Sequence, residues 1–172
     1  ETLASVPPIL LNGGEWFAAF GPPKNGGTRL FCLSGHVNQQ GVWELPLGFP
    51  LRRLIEELGG GMRNGAKLKA VVPGGSSTPL LPAEVAWDVN LDFDSMAKVG
   101  TFLGSGGVVV VDEHTCMVKF ALRIMQFYRH ESCGWCVPCR EGTSWLQTSL
   151  TRFHNGGGRE AAAHHGSPHD AS

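Results

Sequence analysis

The chain has 172 residues, a formal net charge of -1 and only 17% charged residues, so nothing in its charge indicates a nucleic-acid-binding protein. No apolar run approaches the roughly 18 residues that a membrane-spanning helix needs, and no secretory leader is visible. Gly accounts for 24 residues, about twice the usual share. The low charge with an ordinary apolar content suits either a chain buried inside a larger assembly or a loop-rich globular domain. Because the chain begins at Glu1 rather than Met, we expect a fragment of a longer protein.

The first 20 residues are expected to form a short helical or extended segment. Pro7 and Pro8 should stop any long helix here, because proline lacks the amide donor and its ring clashes with the preceding turn. The Gly- and Pro-rich segment 21–27 that follows indicates a loop and a domain boundary.

The segment 21–114 predicts a β-grasp, or ubiquitin-like, domain, so the overall fold class is α+β. Apolar alternation and glycine stops place its elements in chain order. The predicted elements are a strand at 28–34, a strand at 42–47, a helix at 50–58, a strand at 68–73 and a strand at 108–112. The first two strands should pair as a hairpin, and the last is all-apolar, as in the interior of a sheet.

Residues 73–79, with the sequence Pro-Gly-Gly-Ser-Ser-Thr-Pro, have two interpretations. Successive backbone amides in such a segment can form a nest for an anion or ligand. The same residues are also typical of a glycine turn capped by its own hydroxyl groups.

From Thr115 onward the apolar period becomes helical, which predicts a helix buried on most sides. A second helix follows, with Leu146, Leu150 and Phe153 on one stripe. Two helices joined by a cysteine loop indicate the start of a helical bundle over 115–154. The remainder, 155–172, has no periodicity and is expected to be disordered.

Three of the five cysteines, Cys133, Cys136 and Cys139, fall within seven residues with two residues between neighbours. A C-x-x-C-x-x-C loop supplies three thiolates on one small concave surface, as an iron–sulfur cluster requires. Gly134 and Pro138 can bend the backbone around such a core. The spacing therefore indicates a metal site and favours an iron–sulfur cluster.

Other chemistry remains open for this loop. A zinc site would use the three cysteines with His130 or His154 as the fourth ligand. A disulfide with a spare thiol would need an oxidising compartment, against which the odd cysteine count and the lack of a leader argue. A bacterial ferredoxin loop would continue to Cys-Pro, but Thr143 and Ser144 stand at those positions.

The segment 131–142, Glu-Ser-Cys-Gly-Trp-Cys-Val-Pro-Cys-Arg-Glu-Gly, resembles the NADH-binding flavoprotein subunit of respiratory complex I, the NADH:quinone oxidoreductase. Related subunits occur in NAD-linked hydrogenases and formate dehydrogenases. The segments 33–37 and 73–77 match the β-grasp (SLBB) domain of that family. The residues at 1–4, Glu-Thr-Leu-Ala, resemble the end of its Asn-Asn-x-Glu-Thr motif beside the flavin.

The resemblance implies an electron-transferring enzyme subunit. The complete subunit takes a hydride from NADH onto FMN and passes single electrons to a [4Fe-4S] cluster and on to quinone. It implies that Cys133, Cys136 and Cys139 are three cluster ligands and that Thr2 lies near the flavin phosphate. It also implies that residues 1–20 end the flavin- and NADH-binding domain and that residues 115–154 are an incomplete iron–sulfur-binding domain.

The resemblance further implies a place in an NADH dehydrogenase module with other subunits, including a ferredoxin-like one. The module would be peripheral to the inner membrane, on its cytoplasmic or matrix side. The main flavin loop and NADH pocket of the family would lie upstream of Glu1, so the chain alone should be inactive. Cys32 and Cys116 match no ligand position and are expected to be small buried residues.

One departure from the family concerns the fourth cluster cysteine, since none follows Cys139. The chain either ends early, uses another ligand such as His154, or binds no stable cluster. Two rival hypotheses follow: a non-catalytic β-grasp ligand-binding or assembly module with a zinc-stapled helical tail, and a truncated gene product without function. Arg140, directly after the loop, could offset cluster charge, and Trp135 could shield a cluster from water or pack on the bundle.

Overall fold

The structure is a computed structural model that describes residues 1–157. The chain divides into two compact units, Glu1–His114 and a second that begins at Thr115. The predicted disordered tail lies outside the described residues from residue 158 onward. Among the helices of the described part, none is both long and apolar enough to cross a membrane.

The first unit is built on a mixed five-stranded sheet with the order β2-β1-β7-β4-β5, beside a two-stranded sheet of β3 and β6. The strands are β1 Thr28–Gly35, β2 Gly41–Pro46, β3 Phe49–Pro50, β4 Leu68–Val72, β5 Leu81–Pro82, β6 Asn90–Leu91 and β7 Gly107–Asp112. The predicted hairpin is confirmed, because β1 pairs antiparallel with β2. The all-apolar β7 lies between β1, which it pairs in parallel, and β4, which it pairs antiparallel, so its predicted interior position is also confirmed.

Helices precede the first strand and connect several of the later ones. They are α1 Thr2–Asn12, α2 Gly14–Ala18, α3 Leu51–Arg53, α4 Ala83–Ala86 and α5 Phe93–Lys98, with a 3-10 turn at Arg63–Gly65. The predicted helix at 50–58 is present, but its second half, Leu54–Leu58, is π-helical. Leu51, Leu54 and Ile55 have no exposed surface, so this helix fills the core of the unit. Burying one such side chain stabilises a fold by about 1.5–3 kcal/mol.

The outward face of β1 corrects one prediction. Phe31 and Leu33 point into the core, and Cys32 between them is exposed. Because side chains alternate along a strand, a cysteine between two core residues must face away from the core. The expectation that Cys32 is buried is therefore wrong.

Helix α1 corrects another prediction, because it runs through Pro7 and Pro8 without stopping. The two missing amides would have bonded the carbonyl groups of Leu3 and Ala4, one turn earlier. None of the helix residues is buried, so water can reach carbonyl groups that lack an amide partner. Because water can bond these carbonyl groups, the two prolines cost the exposed helix little and it continues past them.

The segment 73–79 forms an internally bonded turn. The amide of Gly74 donates to Thr78 Oγ1 at 3.3 Å, and the amide of Thr78 donates to the carbonyl oxygen of Gly75 at 2.9 Å. The amide of Gly75 donates to the carbonyl oxygen of Gly107 at 2.7 Å. These amides are used within the protein, which favours the hydroxyl-capped turn over the anion nest.

The second unit consists of α6 Met117–Glu131, α7 Val137–Arg140 and α8 Gly142–His154. Helix α6 packs on α8, and Arg129 Nη1 of α6 donates to Gln147 Oε1 of α8 at 3.3 Å. Only Leu122 of α6 is buried, so the prediction of a helix buried on most sides is wrong for the described residues. Two neighbouring helices cover one stripe of α6 and leave its other faces open. Cys116, just before α6, is likewise exposed rather than buried.

Candidate metal centre

The cysteine loop joins the end of α6 to the short helix α7. Gly134 has φ +75, a conformation that glycine adopts without strain, and it turns the chain between the first two cysteines. Cys136 is the residue immediately before α7, and Cys139 lies inside that helix, whose first turn accommodates Pro138. The thiols of Cys133, Cys136 and Cys139 are all free and exposed. All three thiols are therefore open to solvent, two of them on the segment before α7 and the third on α7 itself.

A serine just before the C-x-x-C-x-x-C triplet connects the two ends of the loop. Ser132 Oγ accepts the amide N–H of Gly134 at 3.2 Å and the thiol of Cys139 at 3.2 Å. The first contact is the local turn that serine favours when its hydroxyl group bonds the amide two residues on. A serine two residues before a glycine is the sequence signal that could have identified this turn. The contact with Cys139, seven residues away, has no such local signal.

Two further side chains hold the backbone of the loop. Arg140 Nη1 donates to the carbonyl oxygens of Gly134 at 3.1 Å and Trp135 at 3.4 Å. Thr143, which is buried, donates from Oγ1 to the carbonyl oxygen of Cys139 at 2.7 Å. Arg140 therefore braces the loop in addition to placing a positive charge beside it. Trp135 is 84% exposed, so it does not pack on the described helices.

The three thiols are not close enough together to bind one metal ion in this structure. Among the described residues, no group of three or more His, Cys, Asp or Glu side chains is arranged to hold a metal ion. His130, one candidate for a zinc ligand, lies 2.9 Å from Glu131 Oε1 through its Nδ1. The donor set nevertheless fits a cluster by its chemistry, since three free thiols are the soft ligands that iron–sulfur clusters take. Binding would require the loop to draw its thiols together.

Thr2, the predicted flavin contact, belongs to the first unit. It is exposed and is the first residue of α1. The preceding residue, Glu1, is tied to β1, because its Oε2 accepts the amide N–H of Leu30 at 3.1 Å and its Oε1 lies 3.8 Å from Arg29 Nε. The start of α1 is thus anchored with Thr2 open to solvent, and its role in binding flavin stays a prediction.

Comparison with known families assigns both parts of the chain. Residues 29–111 match the model of the SLBB domain. Residues 119–166 match the model described as the NADH-ubiquinone oxidoreductase-F iron-sulfur binding region, which includes the cysteine loop. The class of protein is thereby defined: an α+β chain in which an SLBB domain precedes a helical iron–sulfur binding region.

Individual relatives agree with this class. The chain is 52% identical over 158 residues to an F-type NADH-quinone oxidoreductase subunit, numbered 2, of Rhizobium meliloti (strain 1021), covering 92% of this chain and 37% of that relative. It is 48% identical over 161 residues to the F-type NADH-quinone oxidoreductase subunit of Rickettsia typhi, covering 93% of this chain and 38% of that relative. The chain is therefore homologous to part of the F-type NADH-quinone oxidoreductase subunits, which confirms the resemblance in the cysteine motif. It spans somewhat more than a third of the length of these relatives.

Solved structures show the same architecture. The crystal structure of an NAD+-reducing [NiFe]-hydrogenase in the air-oxidized state superimposes with a TM-score of 0.77 at 33% sequence identity, covering 90% of this chain and 26% of that one. Its H2-reduced state gives a TM-score of 0.76. These likenesses and the SLBB match confirm the α+β fold class with its β-grasp domain.

Proposed function

We propose that this chain is the SLBB and iron–sulfur part of the NADH dehydrogenase module of a complex I-type NADH:quinone oxidoreductase. The observation that carries the proposal is the set of three free, exposed thiols on one loop, within residues that match an iron–sulfur binding model. The quinone branch is favoured over the hydrogenase branch by identity, at 52% against 33%.

In this proposal Cys133, Cys136 and Cys139 ligate a [4Fe-4S] cluster, each losing its thiol proton to solvent on ligation. When bound, the cluster supplies one-electron transfer. Arg140 holds two carbonyl oxygens of the loop and brings a guanidinium charge close to an anionic site. The fourth ligand comes from outside the triplet, either from another residue of this chain such as His154 or from a residue of the longer protein that the relatives represent.

The proposal extends to the longer protein that the relatives represent. There FMN supplies the step from hydride to single electrons. Thr2, exposed at the start of an anchored helix, would contact the FMN phosphate, and residues 1–20 would complete the flavin- and NADH-binding domain. The partners would be other subunits of the module, including a ferredoxin-like one. The location would be peripheral to the inner membrane, on the cytoplasmic or matrix side.

The ligand assignment is tested by anaerobic reconstitution of the full chain with iron and sulfide. Cys133→Ser, Cys136→Ser and Cys139→Ser should each lower bound iron and acid-labile sulfide several-fold. Cys32→Ser and Cys116→Ser are matched controls, because they make the same change at exposed cysteines outside the loop and should leave both contents unchanged.

Two results would contradict the assignment. The first is iron binding that survives all three loop substitutions. The second is purification of the chain with stoichiometric zinc that iron and sulfide cannot replace, which would support the zinc-stapled module instead.

A further inference from the structure

We propose that Ser132 is a positioning residue that orients the Cys139 thiol for metal binding and then donates a hydrogen bond to its sulfur. This inference rests on the proposed function, because it concerns the same thiol site. It goes beyond the ligand set by assigning a role to a side chain that is not one of the three cysteines of the C-x-x-C-x-x-C loop.

The geometry places Ser132 where it can act on the whole loop. Its Oγ is 3.2 Å from Cys139 Sγ and 3.2 Å from the amide nitrogen of Gly134. Ser132 precedes the first cysteine of the triplet and Cys139 is the last, so this one contact joins the two ends of the loop. The hydroxyl oxygen of Ser132, a half-buried residue, thus accepts hydrogen bonds from both the Gly134 amide and the Cys139 thiol.

The backbone of Cys139 is fixed independently of Ser132. Its carbonyl oxygen accepts Thr143 Oγ1 at 2.7 Å, and Thr143 is buried. One turn earlier, the carbonyl oxygen of Cys136 accepts the amide of Arg140 at 2.9 Å. With the main chain held by these bonds, the contact with Ser132 selects the direction of the Cys139 side chain. Preorganisation of this kind strengthens binding because less conformational freedom remains to be lost.

The hydrogen bond must reverse when Cys139 becomes a ligand. In the metal-free chain the thiol S–H donates to Ser132 Oγ. Ligation releases that proton to solvent and leaves a thiolate, which can only accept. A serine hydroxyl group both donates and accepts and rotates freely, so its O–H can turn toward the sulfur. Hydrogen bonds to ligand sulfurs raise the reduction potential of an iron–sulfur cluster by stabilising the more negative state.

The test compares Ser132→Ala and Ser132→Thr in the full chain. Alanine removes the hydroxyl group, and threonine retains it. Ser149→Ala is the matched control, because it makes the same change at an exposed serine of α8. The first readout is the affinity of the reduced, metal-free chain for Co2+, followed by thiolate-to-cobalt absorption. The second is the midpoint potential of the reconstituted cluster in an EPR-monitored redox titration.

We expect Ser132→Ala to weaken Co2+ binding about fivefold, the effect of one net hydrogen bond, and to shift the midpoint potential to a more negative value. Ser132→Thr should restore most of both, and Ser149→Ala should change neither. Faster hydrogen exchange at the Gly134 amide in metal-free Ser132→Ala, with an unchanged circular dichroism spectrum, would show that the local turn was lost while the fold was kept.

The two proposals fail in different ways. If the wild-type chain binds a cluster and Ser132→Ala matches it in Co2+ affinity and potential, the role of Ser132 is overturned and the cluster site stands. If the wild-type chain binds neither Co2+ nor a cluster, the proposed function and the role of Ser132 are both overturned. If Co2+ binding depends on Ser132 but no cluster assembles, the positioning role holds for a site that takes a single metal ion.

Discussion

Gly35 and Val110 lie opposite each other where β1 pairs in parallel with β7. A side-chain carbon built on Gly35 would overlap the carbonyl oxygen of Val110, and Gly35 has φ +92. That oxygen also accepts the amide of His36 at 2.9 Å, so it cannot move without breaking a bond. Only glycine satisfies both the backbone conformation and the close approach where β1 ends beside β7.

Gly35→Ala should therefore destabilise the chain by about 2–4 kcal/mol, measured by urea unfolding followed by far-UV circular dichroism. The matched control is Gly100→Ala, because Gly100 has φ +77 but nothing lies within 4 Å of an added carbon. The control should cost only the conformational strain, about 1 kcal/mol. Equal losses in the two variants would show that contact with Val110 is unimportant.

Asp92 is a buried carboxylate that caps α5. Its Oδ1 accepts the amide of Ser95 at 2.7 Å, and its Oδ2 accepts Ser95 Oγ at 2.8 Å. Asp92→Ala should lower the free energy of unfolding by about 1–2 kcal/mol, because it removes the cap and leaves the amide without its partner. Asp88→Ala, at a side chain that is 85% exposed, should change it by less than about 0.5 kcal/mol. A comparable loss for both aspartates would contradict the capping role.

The π-helical turn carries an ion pair with a predictable pH dependence. Arg53 Nε donates to both carboxylate oxygens of Glu57, at 2.8 and 3.0 Å. The hydrogen bond with Arg53 lowers the pKa of Glu57 from 4.5. A depressed folded-state pKa means that the pair stabilises the fold above the unfolded-state pKa. This contribution is lost as pH falls through the folded-state pKa.

Arg53→Gln should raise the pKa of Glu57 toward 4.5, measured by NMR titration of its side-chain carboxyl carbon. Arg52→Gln is the neighbouring control and should leave this titration unchanged. Because both partners are exposed, the effect on stability should be small and should shrink further in high salt. An unchanged Glu57 titration in Arg53→Gln would argue that the pair does not persist in solution.

Accessible thiols give a prediction that does not depend on spectroscopy of a cluster. All five cysteines are free and exposed, so the reduced, metal-free chain should react with five equivalents of a thiol reagent without denaturant. Cluster binding should protect Cys133, Cys136 and Cys139 and leave Cys32 and Cys116 reactive. Peptide mapping of the modified sites identifies the protected set. Protection of Cys32 or Cys116 by iron and sulfide would place the cluster elsewhere.

Much of the fold could be predicted because its signals are local. Alternation around Phe31 and Leu33 predicts β1, and the run of four valines predicts a buried strand. The same alternation predicts that Cys32 is exposed. The expectation that Cys32 is buried is wrong because it uses residue type alone, and cysteine is often buried. The π-helical turn could not be predicted, since a stripe at Leu51, Leu54 and Ile55 suits an α-helix equally well.

In the candidate site, too, one part could be predicted from the sequence and another could not. Spacing alone identifies the three thiols, because three cysteines within one short loop are rare outside metal sites. The contact of Ser132 with Cys139 depends on how the loop folds back, so no local pattern contains it. The bracing of the loop by Arg140 and Thr143 likewise follows from the path of α7 into α8, which residue types do not specify.

The central claim is that the cysteine loop holds an iron–sulfur cluster that carries single electrons. The most direct test is an EPR spectrum of the full chain after anaerobic reconstitution and reduction with dithionite. The account predicts the signal of a reduced [4Fe-4S] cluster, absent in Cys136→Ser and unchanged in Cys116→Ser. A spectrum without a cluster signal, from a chain that retains no iron or sulfide, would contradict it.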